Sequence, residues 1–529
     1  MQRLRYSHAW IVATLAVVTI PLLLVFSGGR TRLLAENTLM LSGAVAAISI
    51  LIGAPLALLL VRTDLPGRKL FVVLLAAMLL MPLYLHAAAW QAAFGVQGWL
   101  TTAGILPPIE GWTGAIGVHV LAAVPWVVLI VGIGMRLVEA ELEQQALLDA
   151  SALQVVSRIT LRRACGAVAA AALWVAATTA SEMTVTDLYQ VRTFAEEIYT
   201  QLAIGDEPSW TWPALPSVLA VAWLVVAALV VIAELAPRDW QTSYPRTWVF
   251  CLGRAKWPIA VAVLLLMLAL VGVPAASLLY KAGLNYDASP RTWSPIKLAS
   301  IITRSYSRFR QEFQWSLIIG GLAATAAVAI GFMLGWIARR GGVRALFAWL
   351  PAALALALPG PLLGLGLIKL LDQPDSPLLI WLYDHSILAP WLAQVVKALP
   401  LAILILWHAL RTMPGEQVQA AAIDGASTLA TLRRIVLPAR WQAIIVAWLV
   451  ALAIALGELS ASILVMPPGV TTLSIQIFNL IHYGVEDTVA GICLALALAM
   501  LFIGLMILAV LRWPGGLVER DSNRTDAGA

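Results

Sequence analysis

The sequence predicts an all-α polytopic membrane protein, with about twelve transmembrane helices in two parallel six-helix repeats. Three observations carry this. Of 529 residues, 61% are hydrophobic and only 12% charged, against about 25% charged in a soluble domain. Apolar runs of roughly 20 residues, the length a spanning helix needs, recur along the whole chain. The first half of the sequence also returns in the second half at a nearly constant offset. Lipid offers the backbone no water to bond, so the runs must be helices.

In chain order the expected spans are 8–26, 38–61, 70–92, 114–135, 164–183 and 213–235, then 257–280, 315–338, 345–370, 387–410, 441–461 and 488–511. The first follows Arg3 and Arg5. It is longer than the apolar core of a cleavable signal peptide, about 7–15 residues, and reads as a retained helix. With the N-terminus inside, the cytoplasmic pieces hold 23 of the 34 basic residues. That bias fixes both termini in the cytoplasm, because Lys and Arg are retained on that side. The net charge of +6 is a consequence of the same rule and does not point to nucleic acid. The 22 Trp suit two belts of membrane interface. Cys165, Cys251 and Cys493 show no ligand or disulfide spacing and read as small apolar fillers.

The duplication is read from matched segments. Gly53–Arg62 matches Gly331–Arg340 at an offset of 278, and Pro125 with Arg136 matches Pro400 with Arg411 at 275. Ser181-Glu182 matches Gly457-Glu458 at 276, and Ile198-Tyr199 matches Ile477-Phe478 at 279. Six spans per copy is an even number, so both copies insert the same way up and share an axis along the membrane normal. The expected units are a first repeat, 1–235, a cytoplasmic linker, 236–256, a second repeat, 257–514, and a polar tail, 515–529.

Between the fourth and fifth spans of each copy lies a polar, helix-prone stretch, 139–163 and 412–440. In copy two, Gln419–Ile423 is Ala-rich and favours helix. Gly425 bends or breaks it. Residues 427–436 resume helical spacing, and Pro438 stops that helix at the membrane surface. A connector lying in the headgroups would look similar. Two copies at matching positions favour a surface gripped by a cytosolic partner.

Gln419-Ala420-Ala421, three residues ending in Asp424, Gly425, nine residues, then Ile435, Val436, Leu437 and Pro438 closely resembles the EAA loop of binding-protein-dependent ABC-transporter permeases. Copy one keeps Glu143, Ile159 and Leu161. It has Gln144-Gln145 for the two Ala, Asp149 for the Gly and Arg162 for the Pro. In copy two, Gln419 stands where the family has Glu. The resemblance implies an ABC type I importer permease fold. It also implies a bacterial inner-membrane location, a separate ATPase subunit in two copies gripping the two loops, and a periplasmic or lipid-anchored solute-binding protein delivering cargo. One chain then replaces a permease dimer. Copy two should dock in the family manner, and copy one more weakly or at a different angle.

Glu182 and Glu458 follow the fifth span of each copy, where an ionised group at mid-membrane costs roughly 2.5–3.5 kcal/mol. Either they line the translocation path, or they satisfy backbone donors at a broken helix or pair with a basic residue. The run around Glu458, with Met466-Pro467-Pro468-Gly469 and Ile481–Asp487, looks most like the fused ferric-iron permeases of this superfamily. Thiamine, polyamine, phosphonate and other oxyanion permeases share parts of it. His119, His408 and His482 match no metal-ligand spacing. Lys369 and Lys397 are expected to snorkel or pair with carbonyls. No cofactor or catalytic cluster is implied, and no phosphate-cradling G-x-x-x-x-G-K-[ST] occurs in the sequence. A twelve-span carrier driven by an ion gradient is the alternative, but it has no reason to repeat a cytoplasmic loop.

Overall fold

The computed structural model describes residues 29–205, 248–285 and 292–513. The expected spans 8–26 and 213–235, most of the linker 236–256 and the tail 515–529 lie outside these residues. Among the described residues, seven helices are long and apolar enough to cross a membrane: Arg32–Arg62, Gly111–Arg136, Ala152–Ala180, Gly253–Gly283, Arg310–Ala338, Leu388–Arg411 and Asp487–Arg512. Three further pairs are bent helices, giving up to ten spans, which matches the ten expected in this part of the chain.

The bent pairs correct the sequence reading. The span expected at 70–92 is two helices, Arg68–Leu79 and Leu83–Thr102, meeting at 107°. The one expected at 345–370 is Gly342–Ala357 and Gly360–Leu371, meeting at 105°. Pro82 and Pro359, 277 positions apart, sit at the two corners in extended backbone. Proline cannot continue a helix through its own missing N–H, and it pushes the preceding residue out of helical geometry. The freed carbonyl of Leu358 is not left bare in lipid: Lys397 Nζ donates to it at 2.7 Å. The half-buried lysine thereby ties the corner to the fourth span, the carbonyl pairing expected of it.

Each copy is built around the crossing of its second and fourth spans. A Cβ on Gly53 would lie 2.7 Å from Val127, and one on Gly331 would lie 3.1 Å from the backbone of Ala402. These crossings occupy matching positions, and in both a glycine lets the helices pack closely. Around them run two apolar cores, one holding Val45, Leu56, Val124 and Val131, the other Ala324, Ala402, Leu452 and Leu456.

The copies also interlock. The helix Leu83–Phe94 of copy one shares a core with Leu278 and Ala282 of copy two. Trp99 Nε1 donates to Ser277 Oγ at 3.1 Å, and Lys281 Nζ to the Gln97 carbonyl at 2.6 Å. Phe194 and Ile198 of copy one pack with Leu362 and Leu365 of copy two.

Candidate functional site: the paired loops

In copy two the loop is a helix-turn-helix, Gly415–Ile423 followed by Thr428–Thr431. The first helix ends in a Schellman turn. The Ala426 N–H donates to the Ala421 carbonyl at 2.9 Å, and the Gly425 N–H to Ala422 at 3.1 Å. This turn needs a left-handed residue, and Gly425 supplies it with φ 73°. Ser427 caps the second helix, accepting from Ala430 N at 3.3 Å. A π-helical turn, Leu432–Val436, follows, and Pro438 and Arg440 lead into a bend of 77° before the span Trp441–Gly457.

In copy one the helix Ala140–Ala146 leads to a turn of different chemistry. Ala150 N–H donates to the Ala146 carbonyl at 2.9 Å. Asp149 does not take a left-handed φ, which explains why this turn tolerates a non-glycine residue. Ser151 and Gln154 form a capping box, and a π-helical turn, Val156–Thr160, stands 276 positions before its partner. Where copy two bends, copy one does not: Ala152–Ala180 is one span. Arg162 in place of the proline retains the backbone N–H that helical continuation requires.

The loops are anchored differently. Glu143 is fully buried, ion-paired to the equally buried Arg62 at the end of the second span. Thr160 Oγ1 donates to the other carboxylate oxygen at 2.6 Å, and Arg62 Nη1 donates to the Met135 carbonyl at 3.3 Å. One helix end, one loop helix and one π turn therefore close on a single carboxylate. In copy two, Gln419 is exposed, and the position of Thr160 is taken by the fully buried Val436. Val436 packs with Leu410 and Met413, flanked by Val418, Leu432 and Ile435.

Of the residues expected to grip a partner, Asp149, Leu161, Gln419, Ala420, Asp424, Gly425, Leu437 and Pro438 are exposed. Ile159 and Ile435 are half-buried, and Glu143 and Ala421 are buried, so these last two act from within the loop. The sequence reading missed the most exposed apolar side chains. Leu148 and Leu153 of copy one are 85% and 78% exposed, and Ile423 and Leu429 of copy two are 86% and 75% exposed. Leu153 and Leu429 are equivalent positions. Their signal in the sequence is an apolar residue on the wrong face of an otherwise polar short helix. Isolated exposed leucines are ordinary; of these four, Leu153 and Leu429 are the ones that recur at equivalent positions.

On the opposite side of the membrane, Glu182 and Glu458 turn back on the chain. Glu182 accepts from the N–H groups of Thr184 and Val185 at 2.6 and 3.0 Å, and lies 3.5 Å from His119 Nε2. That contact is within ion-pair range, yet the imidazole nitrogen makes no hydrogen bond. Glu458 accepts from Ala461 N at 2.8 Å, Ser462 N at 3.1 Å and the Ser462 hydroxyl. Both carboxylates therefore start the short helices after the fifth span.

Residues 327–514 match the family described as binding-protein-dependent transport system inner membrane component. Putrescine transport system permease protein PotI of Escherichia coli (strain K12) is 32% identical over 203 residues, spanning 37% of this chain and 69% of the relative. The chain belongs to this family of ABC permeases. Spermidine/putrescine transport system permease protein PotC of Haemophilus influenzae is 30% identical over 119 residues, 22% of this chain and 46% of the relative. Putative 2-aminoethylphosphonate transport system permease protein PhnV of Salmonella choleraesuis is 28% identical over 206 residues, 38% of this chain and 74% of the relative. An ABC permease of this kind is a multi-pass inner-membrane subunit. Membership implies an ATPase subunit and a solute-binding protein as its partners.

Proposed function

We propose that this chain supplies both permease copies of an ABC importer. A separate ATPase grips its two loops at the cytoplasmic face, where both termini also lie. The observation that carries this reading is the pair of helix-turn-helix loops at equivalent positions, each presenting an exposed apolar pair, Leu148 with Leu153 and Ile423 with Leu429. A matched pair of grips suits a two-copy motor that must hold both halves at once. Nucleotide-driven closure would then rock one repeat against the other.

The cargo that fits best is a small molecule carrying a primary ammonium. Putrescine and 2-aminoethylphosphonate, named in the relatives, share that group. Glu182 and Glu458 are occupied by backbone N–H groups of their own chain, so this reading rests on the relatives and not on those carboxylates. The relatives give ferric iron no support, so the amine takes its place as the preferred cargo.

The loop assignment is tested by Leu153→Asp and Leu429→Asp, singly and together. Co-purification of the ATPase from membranes should fall for each and be lost for the double variant, with the permease still inserted. Full retention by the double variant would sink the assignment. For the cargo, uptake of labelled putrescine, 2-aminoethylphosphonate and ferric ion by cells carrying the intact importer is compared. Uptake of iron alone would reverse the amine reading.

A further inference from the structure

Two short helices lie between the fifth and sixth spans, Phe194–Ala203 and Leu473–Ile481. They are copies of one another in detail. Each is preceded by a left-handed residue, Gln190 at φ 54° and Gly469 at φ 80°, which are 279 positions apart. Each starts after a threonine, Thr193 and Thr472, again 279 apart. The first helical amide is held by a hydroxyl from the second span in both, Thr38 at 3.0 Å and Ser316 at 2.8 Å. The next inward residues, Ile198 and Ile477, are both fully buried.

One position later, Tyr199 and Phe478 meet. Their ring centroids are 6.2 Å apart and nearly edge-on, at 78°. These two are each other's equivalents under the duplication. A residue can touch its own equivalent only on the axis that relates the copies. That axis runs along the membrane normal between the halves, where a parallel-repeat transporter holds its path. The pair sits on the side of the membrane away from the cytoplasmic loops.

We propose that Tyr199 and Phe478 are the two leaves of the outer gate, closing the path on its axis. The Asp187–His482 contact latches them on one flank. His482 Nε2 and Asp187 Oδ2 are 3.0 Å apart and belong to different copies. The same imidazole stacks edge-on against Phe478 at 4.6 Å and bonds the Phe478 carbonyl through Nδ1 at 2.9 Å. The latch is therefore built onto one gate leaf. The other flank has no counterpart: the stretch 459–468 carries no charged residue, and Ala203 stands 279 positions before His482. The gate is thus symmetric in its leaves and asymmetric in its fastening, so release of one ion pair frees it. The assignment holds for any cargo and rests on the two-copy permease reading.

The experiment places cysteines at both leaves, Tyr199→Cys with Phe478→Cys, in the full chain with its ATPase and binding protein in native membranes. Cys165, Cys251 and Cys493 are first replaced by serine or alanine. A short bis-methanethiosulfonate linker is the probe. We expect efficient linking without nucleotide, and at least a fivefold fall when the complex is trapped with ATP and vanadate. The linked complex should lose uptake and regain it on reduction. Linking that ignores the trap, or uptake by the linked complex at the reduced rate, overturns the proposal. Should the double variant fail to assemble, Asp187→Asn with a single cysteine at Tyr199 is read instead. Labelling by a membrane-impermeant methanethiosulfonate should then rise severalfold over the single cysteine with Asp187 intact, and an unchanged rate overturns the latch.

Discussion

The two loops that precede the fifth spans have the same outline and are held by opposite chemistry. Copy one is pinned by a buried ion pair, Arg62 to Glu143, with Thr160 completing the carboxylate. Its second loop helix runs into the span without a break from Ala152 to Ala180. Copy two is pinned by apolar contact through Val436, Leu410 and Met413, and it bends by 77° before its span. The exposed apolar residues and the π turns are common to both. Duplication therefore preserved the shape a partner would meet and let the anchoring beneath it diverge. A buried ion pair is intolerant of losing one member, whereas an apolar anchor tolerates change in small steps.

That contrast can be broken most decisively at Glu143. Glu143→Ala strands the buried Arg62, which should cost about 3–5 kcal/mol, while Gln419→Ala at the equivalent exposed position should stay within about 0.5 kcal/mol. Unfolding of the purified permease in mixed micelles reads both, and equal effects would end the distinction.

A smaller difference is expected at the turns. Gly425→Ala puts a Cβ into a left-handed conformation, at a cost of about 1–2 kcal/mol. The space around it is open, so strain rather than collision is the cause. Asp149→Gly should bring no matching gain, because its turn does not use that conformation. The same unfolding measurement compares them.

Thr160→Val copies the copy-two residue into copy one. It removes one donor from a buried carboxylate and should cost about 1–3 kcal/mol. If melting is unchanged, the hydroxyl is a bystander and the ion pair alone holds the loop.

The smallest effect lies at the far end of the fifth spans from these loops, where the copies differ again. The hydrogen bond to Asp187 raises the pKa of His482 above its ordinary 6.5. A raised imidazole pKa means the contact stabilises fully below that ordinary value and fades as pH climbs through the raised one. The melting gap between the parent and Asp187→Asn should accordingly be widest in mildly acidic buffer and narrow toward alkaline pH. A gap that widens with pH would contradict the pairing.

Much of this was legible in the residues themselves. Low charge and recurring apolar runs dictate a helical membrane protein, because both are statements about solvation that need no knowledge of neighbours. Matched segments dictate the duplication. Gly425 and Pro438 announced the turn and the end of the loop helix, since each acts through its own backbone. The corners at Pro82 and Pro359 were visible as prolines but not as right angles, because average hydropathy over a span reports solvation and is blind to direction. Only the tertiary structure decided the rest. Arg62 finds Glu143 across 81 positions, Lys397 finds the Leu358 carbonyl across 39, and His482 finds Asp187 across 295. A polar group withdrawn from water must take a partner, but which one it takes depends on how the helices cross.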